Sequence, residues 1–220
     1  MKLVLASGSQ RRRELLTMCG YDYEIIVSNA DETIDENDPE SFVRALSFRK
    51  AKDVFDRLFA AGRRDFAVIG SDTVVAFQKE GEAKPVIIGK PKDAEDAVRI
   101  LSMLSGKTHR VFTGVSVIAD IPDENAAAQC SIQEKAEIQT ECSITEVTFE
   151  TLSPNEITDY VNSGDPLDKA GSYGIQGPFG MFVREIRGNY FTVIGMPIPV
   201  LYKMLKKIGI LPHGFYERIE

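Results

Sequence analysis

Apolar positions along this chain change their period repeatedly, and each change marks an element. Residues 3–6 (LVLA) form an unbroken apolar run, the pattern of a buried strand. The run gives way to Ser7, Gly8 and Ser9. Three arginines then open a segment with Leu15, Leu16 and Cys19 on one helical side, closed by Gly20. Residues 23–27 (YEIIV) read as a strand, and residues 28–38 are polar, acidic and without period. Asp38, Pro39 and Glu40 are a helix start, with the helix running to about residue 61, stopped by Gly62, and turning Val43, Leu46, Val54 and Leu58 inward.

Residues 66–70 (FAVIG) and 74–76 flank Ser71, Asp72 and Thr73, which predicts a buried central strand with Asp72 at its carboxyl end. A polar hairpin loop at 78–84 leads through 85–88 to a rigid Gly89-Lys90-Pro91 turn. Asp93 opens a helix ending near Gly106, with Ala94, Ala97, Leu101 and Leu104 as its buried stripe. Residues 108–118 are strongly β-prone, and 142–149 return to strand. Between them, residues 119–141 read as an elaborated loop or extended hairpin. Ser153, Pro154 and Glu156 form a capping box for a helix ending near Gly164. A run at 165–177, dense in glycine and polar groups, is followed by two expected strands (181–186 and 190–194), an amphipathic helix from Pro197 to about residue 208, and a tail at 211–220. Strands mixed with helices predict an α/β protein.

The net charge of -7 argues against a broad nucleic-acid face, so the N-terminal arginines stand out as local positive charge suited to a small anion. The 3 cysteines form no CxxC pair, which excludes a disulfide framework and fits a reducing compartment. With only 2 histidines, His109 and His213, a Cys/His zinc site is disfavoured and acid–base chemistry falls to carboxylates or lysines. A metal, if used, would be a hard oxygen-bound ion such as Mg²⁺. No stretch approaches the roughly 20 apolar residues of a membrane span. The expectation is a soluble, cytoplasmic protein with neither a membrane nor a nucleic acid as partner.

Residues 2–16 can make an anion cradle, in which free N–H groups at a helix N-terminus and planar guanidiniums face one ligand. The alternative is a surface turn with a solvated basic run. Lys50 shares the apolar stripe of Leu46 and Val54, so it either snorkels to solvent or points into a cleft. Asp72 is costly among such apolar flanks unless paired or metal-bound, and the alternative is a turn-capping Asp. In the acidic loop, carboxylates are either solvated or close over the arginines to help bind a metal. His109 reads as a packed strand residue. Composition and spacing lead to a phosphorylated substrate and metal-assisted hydrolysis, and no further.

Five motifs go further: LASGSQRRRELL, GSDTVV, GKP, MLSGKTHRVFTGV and DPLDKAGSYGIQG. Their order resembles that of the Maf family of nucleoside triphosphate pyrophosphatases over about residues 2–208. The resemblance implies a long twisted mixed sheet flanked by helices, two lobes and a central cleft, as in inosine triphosphate pyrophosphatases. It implies a single domain over residues 1–210, a tail at 211–220, a divalent metal (Mg or Mn) and a homodimer. Position by position, it implies Asp72 as proton acceptor and metal ligand, with Glu32 as a second, looser metal match. Ser7, Ser9, Arg11 and Arg12 match its phosphate-binding motif. Lys50 and Lys90 match lysines facing the phosphates, and Asp168 and Lys169 match its cleft motif. Arg13 is left as the solvated arginine. Arg11, Thr73 and Gln176 together resemble the branch acting on dTTP and UTP. The alternatives are the same chemistry on 7-methyl-GTP, or a non-catalytic nucleotide-binding regulator linked to cell division. Gln10 departs from the family's usual Pro, which would loosen the opening turn.

Overall fold

The computed structural model describes residues 1–79, 81–82, 84–121 and 136–214. Strand β1 (Lys2–Leu5) buries three of its four residues. It turns at Ser7–Ser9 into helix α1 (Gln10–Met18), which buries Leu15 and Leu16. Gln10 occupies the first helical position and donates its side-chain amide to Glu14 at 2.8 Å, so the turn is retained without Pro. Of the strand expected at 23–27, only β2 (Glu24–Ile25) forms, because the segment sits exposed at the sheet edge and, among the described residues, pairs β1 alone. Helix α2 (Pro39–Ala60) starts where the sequence places it, with the Asp38 carboxylate accepting the Ser41 N–H.

Strand β3 (Phe66–Phe77) is the centre of the sheet and is buried at all but one position. Asp72 therefore lies inside a continuous strand, correcting the expectation that the strand ends there. What ends is its neighbour. Strand β1 runs parallel to β3 only as far as the Leu5–Ile69 pair. Strand β4 (Val86–Ile88) joins the same edge antiparallel, from Val75 onward. Between Ile69 and Val75, no strand among the described residues pairs that edge of β3, and the cleft opens in this gap.

Helix α3 (Ala94–Leu104) buries Ala97, Ile100, Leu101 and Leu104, while Ala94 is exposed because the helix has not yet reached the core at its first turn. Strand β5 (Thr108–Asp120) lies antiparallel to β3 along its other edge. Strand β6 (Ala136–Phe149) pairs β5 up to Ala136 opposite Asp120, so an extended hairpin is correct and the strand begins six residues earlier than its apolar pattern indicates. Its outer half carries Glu, Gln and Thr because it is only partly buried. Residues 122–135, including Cys130, lie outside the described residues. Helix α4 (Pro154–Asn162) carries the expected capping box. Strand β7 (Val183–Arg187) follows a 3₁₀ turn at Pro178–Phe182, which takes the first residues of the strand expected there.

Residues 190–194 correct the sequence reading outright. They form a short helix, α5 (Tyr190–Ile194), not a strand. A brief apolar run has no period long enough to separate the two. The ends decide it: the Asn189 side chain accepts the Phe191 N–H, and Gly195 takes the left-handed conformation (φ 109°) that closes a helix. Helix α6 (Ile198–Lys207) follows, burying Leu201, Met204 and Leu205. The expected tail is docked at its start, where the His213 N–H donates to the Gly20 carbonyl at 2.7 Å. Residues 215–220 are outside the described set.

The result is a seven-stranded mixed sheet in the order β2-β1-β3-β5-β6-β7, with β4 beside β3 and helices on both faces. On one face two apolar clusters lie side by side. One joins β1, α1 and α6 to Ala67 and Ile69. The other joins α3 and α4 to Val75, Phe77 and Phe149. Between them on β3 stand Ser71 and Thr73, a polar seam that divides the face. On the opposite face α2 packs across the centre. It comes down onto bare backbone: a methyl group at Gly70 would lie 2.1 Å from the Ser47 carbonyl oxygen, and one at Gly114 would lie 2.1 Å from that of Val43.

Candidate active site

The gap in the sheet forms a cleft of about 1300 Å³. Its floor is β3, one wall is the β1–α1 turn, and the other is made by the β4 turn and residues 165–177. Every candidate from the sequence lines it: Ser7, Ser9, Arg11, Arg12, Glu32, Lys50, Asp72, Thr73, Lys90, Asp168, Lys169 and Gln176.

Side chains alternate along β3, so Asp72 points to the α2 face and Thr73 to the other. Because α2 sits so close on Gly70 and Gly114, Lys50 reaches Asp72 directly, with Nζ 2.8 Å from Oδ1. The pair is largely buried, at 12% and 13% side-chain exposure. Lys50 is therefore the cleft lysine and not a snorkelling one. Its ammonium also meets Glu32 Oε1 at 3.0 Å. The acidic loop thus folds over the site, and two carboxylates bracket one cation. This donor pair suits a hard divalent ion, which ordinarily takes one or two carboxylates and fills its shell with water and phosphate oxygens. Among the described residues, no group of three or more His, Cys, Asp or Glu side chains could hold a metal by itself.

On the other face of β3, Arg12 is fastened by all three of its nitrogens. Nε donates to the Gly195 carbonyl (2.9 Å), Nη1 to Ser7 Oγ (3.1 Å) and Nη2 to Thr73 Oγ1 (3.4 Å). Burial lowers its pKa from the ordinary arginine value, and the Asp72 charge opposes that shift. Two of its five N–H groups are left for a ligand. Thr73 is held in turn by Thr113 (3.0 Å), which donates to the Thr192 carbonyl at 2.7 Å. Ser71 Oγ lies within hydrogen-bond distance of the Gly114 and Gly195 carbonyls. The polar seam is therefore a chain of hydroxyls running from the cleft to α5.

Ser7 Oγ accepts the Ser9 N–H, and the Ser9 side chain makes no cap bond to α1. Arg11 reaches across the cleft to Asp168 at 3.2 Å. Arg13 differs from its expected solvated place: it lines the cleft half-buried, and its Nε is enclosed without a hydrogen-bond partner among the described residues. Lys169 is committed to its own turn, donating to Asp165 O (2.5 Å), Asp165 Oδ1 (3.1 Å) and Asp168 Oδ1 (2.7 Å). Lys90 and Gln176 are exposed on the far wall.

Sequence reading missed the groups that hold these side chains in place. Tyr160 donates to Asp165 Oδ2 (2.5 Å) and accepts the Gly174 N–H (3.0 Å), tying α4 to both polar turns of the wall. Gly195 supplies the carbonyl that orients Arg12. Its signal was present, since Asn189 and Gly195 bracket 190–194 as helix caps. Tyr160 had none, being one apolar-face residue among others. His109 is a packed residue as expected, buried beside Phe149 and 3.0 Å from the Tyr173 hydroxyl. Burial pushes its pKa down to about 3, so it is neutral.

Residues 2–208 match the family described as Maf-like protein. A dTTP/UTP pyrophosphatase of Agathobacter rectalis is 39% identical over 217 residues, covering 95% of this chain and 98% of the relative. A dTTP/UTP pyrophosphatase of Bacillus thuringiensis subsp. konkukian is 42% identical over 210 residues, covering 95% and 96%. Among solved structures, the Staphylococcus aureus Ham1 protein aligns with 94% of this chain and 100% of its own at 13% identity and a TM-score of 0.48, a likeness too loose to carry chemistry.

Proposed function

This chain belongs to the Maf-like protein family, and from that premise we propose that it hydrolyses nucleoside triphosphates, dTTP and UTP foremost, to the monophosphate and pyrophosphate. One observation carries the reading: a largely buried Asp72, paired with Lys50, lies at the floor of a cleft that Arg11, Arg12 and Lys90 also line. Such a site can hold a polyanion beside a single general base.

In this reading the triphosphate lies along the β1–α1 turn, its charge met by Arg11, the two free N–H groups of Arg12, Lys50 and Lys90. Asp72 takes a proton from the attacking water as the new O–P bond forms at the α-phosphorus. The α–β anhydride bond breaks and pyrophosphate leaves, its charge stabilised by the same cations. Lys50, fixed at 2.8 Å, orients the Asp72 carboxylate. Glu32 and Asp72 would hold a divalent ion (Mg or Mn), which when bound neutralises phosphate charge and acidifies water. Thr73 and Asp168 hold Arg12 and Arg11, and Lys169 shapes the wall that carries Gln176. A neutral Gln176 offers a pyrimidine edge both a donor and an acceptor.

The family resemblance further supports a homodimer, testable by sedimentation. We infer a reducing, cytoplasmic setting from Cys19 and Cys142, which form no disulfide among the described residues. No helix among the described residues is long and apolar enough to cross a membrane.

The test is pyrophosphate release from dTTP, UTP and 7-methyl-GTP with Mg²⁺ or Mn²⁺. Asp72→Asn should abolish turnover while leaving nucleotide binding and thermal stability near wild type. Near-normal turnover in Asp72→Asn removes Asp72 as the base. Nucleotide binding without pyrophosphate release by the wild-type protein would favour the regulator instead.

A further inference from the structure

The loop that carries Glu32 contains no helix or strand, yet it is fastened to α2 along its length. Its fasteners, Arg49, Asp53 and Arg57, are four residues apart and so share one stripe of the helix. Arg57 Nη2 donates to the Val27 carbonyl at 2.9 Å. Asp53 Oδ2 accepts from Ser28 Oγ (2.9 Å) and the Asn29 N–H (2.8 Å). Arg49 Nη1 donates to two carbonyls, those of Asp31 and Thr33, at 2.8 Å each. These are the residues on either side of Glu32. A further bond closes the turn, from the Thr33 N–H to Asp31 Oδ1 at 2.9 Å.

Glu32 thus sits at the apex of a turn pinned on both flanks by one guanidinium. Its side chain meets Lys50, the residue after Arg49 in the helix, at 3.0 Å. Two neighbouring residues of α2 therefore act together on the loop, Arg49 holding the main chain and Lys50 receiving the carboxylate. Without the pin, an exposed glutamate (67% exposed) on a loop of this length would be free to turn to water. Both bonds leave one nitrogen of Arg49, Nη1, whose two N–H groups are fixed in the guanidinium plane, whereas the three donors of an ammonium rotate on a flexible stem.

We propose that Arg49 is a positioning residue that sets Glu32 beside Asp72 as the second carboxylate of the divalent-cation position. The inference rests on the proposed role of Glu32, and it predicts that removing Arg49 mimics removing the Glu32 charge. Arg49 touches neither the substrate nor the reacting atoms.

The experiment measures Mn²⁺ binding by electron paramagnetic resonance on the full chain, with α,β-methylene-dUTP present so that no turnover occurs. The Mg²⁺ concentration for half-maximal activity is measured in parallel, as is KM for dTTP. The variants are Arg49→Ala, Arg49→Lys, Glu32→Gln and the double variant Arg49→Ala/Glu32→Gln. Arg49→Ala should weaken Mn²⁺ binding by about tenfold, the scale of losing a group that orients a metal ligand. It should raise the Mg²⁺ requirement in parallel and leave KM for dTTP at saturating metal near wild type. Arg49→Lys should recover part of the loss, and the double variant should be no weaker than Glu32→Gln alone. If Glu32→Gln weakens Mn²⁺ binding and Arg49→Ala does not, the positioning role is overturned while the Glu32 role stands. If Glu32→Gln leaves Mn²⁺ binding unchanged, the Glu32 role fails and the positioning role fails with it.

Discussion

Gly70→Ala tests the central geometric claim, that α2 delivers Lys50 to Asp72 because it can rest on bare backbone. The added methyl would stand 2.1 Å from the Ser47 carbonyl oxygen and 2.7 Å from the Ala51 amide nitrogen, where Cβ contacts under 3.0 Å essentially never occur. Relieving the first contact alone moves helix and strand apart by 3.0 − 2.1 = 0.9 Å. Neither atom belongs to a flexible side chain, so the displacement falls on α2 itself. Lys50 lies one turn beyond Ser47 on the same helix, and the same movement stretches its 2.8 Å contact to Asp72 toward 3.7 Å, past hydrogen-bond length. Overpacking of this kind costs about 1–3 kcal/mol of stability. A misplacement of about 1 Å at a reacting group costs on the order of 100-fold in rate. The assay pairs urea denaturation with pyrophosphate release from dTTP at saturating substrate. Gly70→Ala should shift the midpoint down and lower kcat far more than the lost stability explains under conditions where the variant is fully folded. A folded variant with wild-type kcat would refute the claim that close helix–sheet approach sets the Lys50–Asp72 contact.

Three further outcomes follow from the same geometry. His109 binds no proton when folded until the pH nears about 3, whereas unfolded histidine protonates near 6.5, so between these values the unfolded chain holds the extra proton and stability falls on acidification. The slope from this group approaches about 1.4 kcal/mol per pH unit, and urea midpoints between pH 6 and 5 should fall less steeply in His109→Gln. Tyr160→Phe leaves the Gly174 N–H without its partner, at a cost of about 1–3 kcal/mol, and should raise KM for dTTP more than it lowers kcat, since it loosens the wall bearing Gln176 but touches neither Lys50 nor Asp72. The Cys142 thiol is pushed up to about 12, chiefly by burial, so it should resist alkylation by iodoacetamide at pH 8 until the chain is unfolded in urea.

Local chemistry settled most of the element boundaries in advance. Asp38-Pro39, Asp93 and the Ser153–Glu156 box each start a helix because a side chain within three residues satisfies its free N–H groups. The central strand follows equally directly, because a buried strand must be apolar on both faces. The residues of the cleft were also legible as types, since a carboxylate among apolar flanks and arginines at a helix start are costly without a purpose. Where local cues compete, sequence reading failed: the apolar run 190–194 satisfies strand propensity, but two cap residues and packing made it a helix. What only the folded chain decided is which groups meet and which are already taken. Lys50 reaches Asp72 because Gly70 and Gly114, on neighbouring strands, lie under one helix, and the same ammonium meets Glu32 from the loop, while Lys169 and three of the five N–H groups of Arg12 spend their hydrogen bonds on the protein. Periodicity records which face of an element is buried. It holds no record of the distance between faces, and at this site that distance is set where β1 stops short, β4 starts late and α2 presses down between them.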